Sequence, residues 1–213
     1  MSGGPPRPSG VIRAVIFDIG RVIVRINIPR SFAALGTSLG LSPEEVLSSL
    51  QRDPVWEDWE DGRVEPHAWH QHVMQRFHLS LSFEEFCATW NRALDPDTIL
   101  KDDLFAALSR RCRLALLSNT DPIHVANMQQ NFSFIRYFPV RVYSCVVGAT
   151  KPSPVIYRKA LSELNVAPNE AFYTDDLEPF VEAARQLGIH GFHFRGPDSL
   201  DAELRRLGLL ENE

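Results

Sequence analysis

The chain has 213 residues, 44% of them hydrophobic and 23% charged, which is an ordinary balance for one globular core domain with a modest insertion. A formal net charge of -5 gives no basic footprint of the kind that tracks a phosphate backbone, so nucleic acid is not an expected partner. The three cysteines form no CxxC spacing, which argues against a disulfide framework and against a zinc site.

Residues 1–10 are rich in Gly, Pro and Ser and lack the apolar run of a signal peptide, so we expect a flexible leader there. No stretch approaches the roughly 18 uninterrupted apolar residues of a membrane helix. The sequence therefore predicts a cytoplasmic protein with no membrane partner. We expect a monomer or a homodimer, between which the sequence does not decide.

The first predicted element is a strand at residues 11–17. Its β-branched and apolar residues lack helical periodicity, which is typical of a strand buried on both faces. The strand ends at Asp18.

The next part of the chain, residues 28–96, is predicted to be a helical insert. Two helix-start signals lie in it, Ser-Pro-Glu-Glu at 42–45 and Ser-Phe-Glu-Glu at 82–85. We expect four tryptophans to pack this insert, with the alternative that one of them faces a ligand: Trp56, Trp59, Trp69 and Trp90.

The remaining chain alternates between helix and strand patterns. Helices are predicted up to residue 110, after residue 122, at 155–164 and at 179–187, and strands or apolar stretches at 113–117, 140–147, 171–174 and 190–194. This alternation predicts an α/β fold with a doubly wound, Rossmann-like parallel sheet, built from residues 11–27 and 97–213 and interrupted after its first strand by the helical insert. Ligands of such sheets bind outside the carboxyl ends of the strands.

Polar clusters follow the predicted strands at residues 18–21, 118–120, 151–152 and 175–176. An aspartate such as Asp18 can accept a phosphoryl group, and the charge on that group calls for hydroxyl, amide and cationic donors. Ser118, Asn119 and Lys151 are donors of these three types. Asp175 and Asp176 supply oxygen ligands suited to Mg²⁺.

Together these runs resemble, in order and spacing, the four motifs of the haloacid dehalogenase (HAD) superfamily. The resemblance rests on residues 15–24, 117–120, 151–152 and 172–176, with 182–188 after the last. More narrowly, the chain is similar to the subfamily IA branch in which Gly follows the nucleophile by two, a branch that includes a bacterial α-D-glucose-1-phosphate phosphatase. A histidine after the Ser-Asn-Thr run, here His124, and a segment like residues 59–62 also occur in that branch.

The resemblance implies that Asp18 is the nucleophile and a metal ligand, with the backbone carbonyl of Gly20 as a second ligand. It implies that Asp176 binds Mg²⁺ directly or through water and that Asp175 is a weaker metal candidate.

For the substrate, the resemblance implies phosphate binding by Ser118 and the backbone of Asn119, with Lys151 neutralising charge between nucleophile and phosphate. Arg21 is placed to reach either the substrate or the hinge of the insert. The insert itself would be a cap that closes over the site and selects the leaving group.

The chain departs from the usual pattern at three positions. Gly20 replaces a second aspartate that serves as general acid and base, a contribution worth about 10²- to 10⁴-fold in rate. Such a site favours leaving groups that need little protonation, such as a sugar anomeric oxygen, unless water or a cap residue supplies the proton. Phe180 and Leu177 replace polar residues that support the metal.

The sequence thus predicts a Mg²⁺-dependent phosphatase that hydrolyses a small phosphomonoester, such as a sugar phosphate, through an aspartyl-phosphate on Asp18. One alternative is a catalytically degenerate binding or regulatory protein, which Gly20, Leu177 and Phe180 favour. Another is a 2-haloacid dehalogenase, whose aspartate attacks carbon without a metal. The acidic pair at 175–176 counts against that second alternative.

Overall fold

The computed structural model describes residues 11–211, so the leader expected at residues 1–10 lies outside it. Five parallel strands form one sheet in the order β3-β2-β1-β4-β5. The strands are β1 Ala14–Phe17, β2 Arg113–Ser118, β3 Val140–Tyr143, β4 Ala171–Asp175 and β5 His190–His193. The predicted α/β architecture is confirmed.

Helices cover both faces of this sheet. Between β1 and β2 lie α1 Ile28–Gly36, α2 Pro43–Gln51, α3 Val55–Glu60, α4 Pro66–Phe77, α5 Phe83–Asn91 and α6 Asp102–Ser109. Later in the chain come α7 Pro122–Asn131, α8 Ser144–Val147, α9 Pro154–Leu164, α10 Glu178–Gln186 and α11 Pro197–Arg206, with short 3₁₀ turns at Thr37–Leu39, Ser133–Tyr137 and Pro168–Glu170.

The side chains of β1 alternate between two apolar layers. Val15 and Phe17 pack into the layer that includes residues of α6 and α11, whereas Ala14 and Ile16 pack into the layer that includes residues of α9. All four are fully buried. Burial on both faces explains why this strand reads as an uninterrupted apolar run.

Helices α1 to α5 form the predicted insert around an apolar core of their own, which includes Phe32, Trp59, Trp69 and Trp90. The two predicted start signals are present as capping boxes at the beginnings of α2 and α5. The chain enters and leaves the insert side by side, because the Asn27 amide donates to the Ala93 carbonyl at 2.8 Å. The boundaries at residues 28 and 96 stay a prediction.

Three elements differ from the sequence prediction. Strand β1 begins only at Ala14, and Val11 is 82% exposed. The apolar stretch at 140–147 divides, because the chain turns at the buried Ser144 into α8 and leaves Val146 facing solvent. Helix α11 was not predicted, since its sequence is mostly polar and buries few apolar side chains. No helix within residues 11–211 has the length and apolar character needed to cross a membrane.

Candidate active site

The candidate site lies where the strand order reverses. From β1 the chain builds outward through β2 and β3, and it then returns to place β4 on the other side of β1. Asp18 directly follows β1, and its amide donates to the Thr174 carbonyl of β4 at 3.0 Å. Asp175 ends β4, so two acidic side chains meet at the crevice where open α/β sheets bind ligands.

A cavity of about 390 Å³ opens at this edge of the sheet. Every site residue predicted from the sequence lines it: Asp18, Gly20, Arg21, Ser118, Asn119, Lys151, Asp175 and Asp176. The insert contributes the opposite wall, which includes Phe32, Trp56, Trp59, Glu60 and Trp90. The structure therefore brings the predicted residues together, and their chemical roles stay predictions.

Lys151 connects the two buried aspartates. Its Nζ lies 2.6 Å from Asp18 Oδ1 and 2.7 Å from Asp175 Oδ2, and the side chain is 2% exposed. Burial lowers the pKa of Lys151, but attraction to Asp18 and Asp175 outweighs burial and leaves the pKa raised. The ammonium also sits 5.0 Å from the centre of the Phe180 ring, so Phe180 contacts the cation of the site.

Asn119 holds Lys151 in place through its backbone. The Asn119 Oδ1 accepts from the Lys151 amide at 2.7 Å, and Nδ2 donates to the Lys151 carbonyl at 3.1 Å. Both the oxygen and the nitrogen of the Asn119 side chain are occupied by these hydrogen bonds. The predicted contact of Asn119 with phosphate is therefore left to its backbone amide. Ser118, at the end of β2, is nearly buried and turns its hydroxyl to the Asn119 carbonyl at 3.3 Å.

The site holds more negative than positive charge, because one ammonium, that of Lys151, faces three carboxylates. We call these carboxylates the acidic group: Asp18, Asp175 and Asp176. One oxygen of each lies within 4.8 Å of the others. Burial and the charge of Asp175 raise the pKa of Asp18 to about 7 despite the lowering effect of Lys151. The pKa of Asp176 is also raised, by burial and by Asp175. Adjacent carboxylates of this kind fit a divalent cation, which would relieve their repulsion.

Asp175 is the least available of the three carboxylates. Its Oδ2 accepts from Lys151 and from the Tyr173 hydroxyl, and its Oδ1 accepts from the Leu177 amide at 2.8 Å. Asp18 and Asp176 are therefore the better candidates for direct contact with a cation. Arg21 lies at the rim, with its guanidinium 3.8 Å from Asp176 and about half of its side chain exposed.

A hydrogen-bond network that the sequence did not predict joins the insert to the core at the cavity. The indole of Trp90 on α5 donates to Asp121 Oδ2 at 3.0 Å, and His124 Nδ1 lies 2.8 Å from the same oxygen. Burial lowers the pKa of His124, but attraction to Asp121 outweighs it and leaves the pKa raised. The sequence singled out His124 through the family resemblance and showed an Asp-Pro helix start, but it did not reveal the contact with Trp90, which lies 31 residues from Asp121.

A second contact between the insert and the core, here called the seam, lies at the end of α3 and is formed by Ser144, Glu60 and Gly62. The buried Ser144 hydroxyl donates to the Glu60 carbonyl at 2.7 Å and accepts from the Thr120 amide at 3.0 Å. Gly62 follows with φ +71°, and a Cβ at this position would lie 1.9 Å from the Cys145 carbonyl oxygen. Only glycine allows the insert and the core to approach this closely.

Gly62→Ala is expected to destabilise the protein by clearly more than the roughly 1–2 kcal/mol that a left-handed conformation alone costs an alanine. Gly40→Ala is the matched control, because Gly40 has φ +65° and its Cβ would meet nothing within 4 Å. Urea denaturation of both variants gives the comparison. If both variants lost the same free energy of unfolding, the contact between Gly62 and Cys145 would adjust to a Cβ without measurable cost.

Comparison with known proteins decides the family. The sequence model of the haloacid dehalogenase-like hydrolase family matches residues 12–188, which include every predicted site residue. The chain belongs to this family of hydrolases. The resemblance drawn from the motifs is thereby confirmed, whereas the narrower likeness to a glucose-1-phosphate phosphatase stays a prediction.

Two curated relatives of this HAD-like hydrolase are phosphatases. It is 24% identical over 189 residues to a D-ribitol-5-phosphate phosphatase of Bacteroides thetaiotaomicron, covering 85% of this chain and 91% of the relative. It is 30% identical over 106 residues to a phosphorylated carbohydrates phosphatase of Thermotoga maritima, about half of each chain.

Solved structures show the same fold. A HAD family enzyme of Bacteroides thetaiotaomicron superposes with a TM-score of 0.81 at 24% identity, covering 92% of this chain and all of that one. The same enzyme in complex with magnesium and inorganic phosphate superposes with a TM-score of 0.77, covering 87% of this chain and 95% of that one.

Proposed function

We propose that this HAD-like hydrolase is a Mg²⁺-dependent phosphatase of a small phosphomonoester, such as a phosphorylated carbohydrate, with Asp18 as the nucleophile. The contact of Lys151 with both Asp18 and Asp175 carries the proposal, because it holds a buried carboxylate at the end of a strand beside a fixed cation. The activities named for the two curated relatives and the magnesium and phosphate bound by the related enzyme support it.

In the proposed reaction a carboxylate oxygen of Asp18 attacks phosphorus and the bond from phosphorus to the leaving oxygen breaks. This step forms an aspartyl-phosphate, and attack of water on its phosphorus then releases inorganic phosphate and restores Asp18. Lys151 offsets the negative charge of the nucleophile and the transferred group. The Ser118 hydroxyl and backbone amides after β2 would donate to the phosphoryl oxygens.

Asp18, Asp176 and the Gly20 carbonyl would hold the Mg²⁺ ion. When bound there, the ion supplies positive charge that balances the phosphoryl oxygens and the acidic group. The fit rests on the repulsion among the three carboxylates, which one lysine does not offset.

We also propose that the insert at residues 28–96 acts as the cap. Its aromatic side chains Trp56, Trp59 and Trp90 wall the cavity opposite the phosphoryl site. A space of about 390 Å³ lies in the range of pockets that enclose small molecules. Aromatic walls with a few polar groups suit the ring and hydroxyls of a sugar phosphate.

The test is phosphate release from a panel of sugar and other metabolite phosphates, with Mg²⁺ and with EDTA. We expect release that requires Mg²⁺ and is strongest for carbohydrate phosphates. Silence across the panel, with folded protein that phosphate and Mg²⁺ stabilise against heat, would favour the degenerate binding protein. Chloride release from 2-chloropropionate that survives EDTA would favour the dehalogenase.

A further inference from the structure

The position two residues after Asp18 offers no proton. Gly20 lines the cavity without a side chain, although a Cβ there would meet its nearest neighbour, Ile26, at an ordinary 3.6 Å. Steric crowding therefore does not account for the glycine. An alkoxide leaving group still needs a proton, so another group at the cavity must supply it for such substrates.

Glu60 is a carboxylic acid in the opposite wall of the same cavity, at the end of α3. Its backbone is fixed by the Ser144 hydroxyl, which also binds Thr120 two residues beyond Ser118. The close packing of Gly62 on the core holds the next turn of chain. These contacts tie Glu60 to the loop that binds the phosphoryl group in the proposed function.

The surroundings of Glu60 raise the pKa of its carboxyl toward neutral pH. Burial raises its pKa to about 7, and the charges of Asp121 and Asp61 act in the same direction. A hydrogen bond from Trp56 and the charge of Lys151 act against them, and His124 also lines this part of the cavity. A carboxyl group with a pKa near the working pH can both give and take a proton.

We propose that Glu60 is the general acid and base of this enzyme, supplied by the cap in place of the residue missing at Gly20. The assignment rests on the proposed phosphatase function. In the first step the Glu60 proton passes to the leaving oxygen as its bond to phosphorus breaks. In the second step the Glu60 carboxylate takes a proton from the water that attacks the aspartyl-phosphate, which restores the acid.

The two steps make the effect of Glu60→Gln depend on the leaving group. For an alkyl phosphate, kcat/KM is expected to fall by about 10²- to 10⁴-fold, since the amide has no proton to give. For p-nitrophenyl phosphate the fall is expected to be much smaller, because nitrophenolate leaves without a proton. Glu57→Gln is the matched control, since it makes the same chemical change at an exposed position on the same helix.

The pH profile separates a proton donor from a residue that only shapes the cavity. With an alkyl phosphate, wild-type kcat/KM is expected to fall as pH rises through about 7, where Glu60 loses its proton. Glu60→Gln is expected to lack this limb, while Glu57→Gln keeps it. A ¹³C NMR titration of the Glu60 carboxyl, assigned by its loss in Glu60→Gln, reports the same proton without turnover.

Three results would overturn the inference: equal losses for the two substrates, a Glu60→Gln variant that keeps the alkaline limb, or a Glu60 titration at the ordinary value of 4.5. Each of these leaves the proposed phosphatase standing if the wild-type protein releases phosphate. A wild-type protein that releases phosphate from no member of the panel with Mg²⁺ would instead refute the phosphatase itself.

Discussion

Asp18→Asn is expected to lower kcat for phosphate release on the order of 10⁶-fold, the scale seen when a nucleophile is removed from a group of residues that act together. The amide keeps the shape of the carboxylate but cannot attack phosphorus. Steady-state phosphate release with Mg²⁺, using protein of matched folded fraction, measures the effect. A variant that retains a tenth of the activity would remove Asp18 from the nucleophile role.

The same substitution is expected to leave the fold intact. Burial and Asp175 raise the pKa of Asp18 to about 7, so the folded state favours its neutral form and ionised Asp18 destabilises the protein. This destabilisation is absent well below pH 3.8, the ordinary pKa of the group, and it grows as the pH rises through about 7. Without divalent cations, Asp18→Asn should therefore be at least as stable as the wild type at pH 8, by thermal denaturation.

Lys151→Met is expected to abolish activity and to destabilise the protein by about 3–5 kcal/mol, the cost of removing one partner from a buried ion pair. The Lys151 side chain is 2% exposed, and its ammonium contacts both Asp18 and Asp175, which would be left without this cation. Because Asp18, whose pKa is raised to about 7, can take up a proton, the loss should shrink at low pH and grow as pH rises through about 7. Urea denaturation across pH gives the measurement.

Lys159→Met is the matched control for this prediction. Lys159 lies on α9 and pairs with Glu163 at 2.9 Å, with half of its side chain exposed. Exposed pairs of this kind contribute about 0–1 kcal/mol, so the control should stay close to the wild type in stability and activity. A Lys151→Met variant as stable as this control would show that the buried contact contributes nothing to the fold.

The grouping of the candidate site residues was predictable because each of them belongs to a local pattern at a strand end. Buried strands read as apolar runs, and parallel strands bring their carboxyl ends to one edge, so Asp18, Ser118 and Asp175 had to meet there. Lys151 was included in the predicted site because its spacing matches the family motif. The structure adds what spacing does not carry, namely that Lys151 contacts both aspartates.

The contacts between the insert and the core at the site could not be predicted from the sequence, although the resemblance already singled out residues 59–62 and His124. Glu60 reads as one acid among several in a short helix, and only its burial beside Asp121 gives it an unusual pKa. The Ser144 contact with Glu60 spans 84 residues. Contacts of this kind depend on how two units pack, and a periodic pattern in one segment holds no information about its partner.

The most direct test of the account is to trap the covalent intermediate. Wild-type protein mixed with substrate and Mg²⁺, then quenched with borohydride, should carry homoserine in place of aspartate at position 18, because hydride reduces an acyl phosphate to the alcohol. Peptide mass spectrometry locates the change, and Asp18→Asn treated in the same way should show none. Reduction at Asp175 or Asp176 with Asp18 intact would contradict the assignment of Asp18 as the nucleophile.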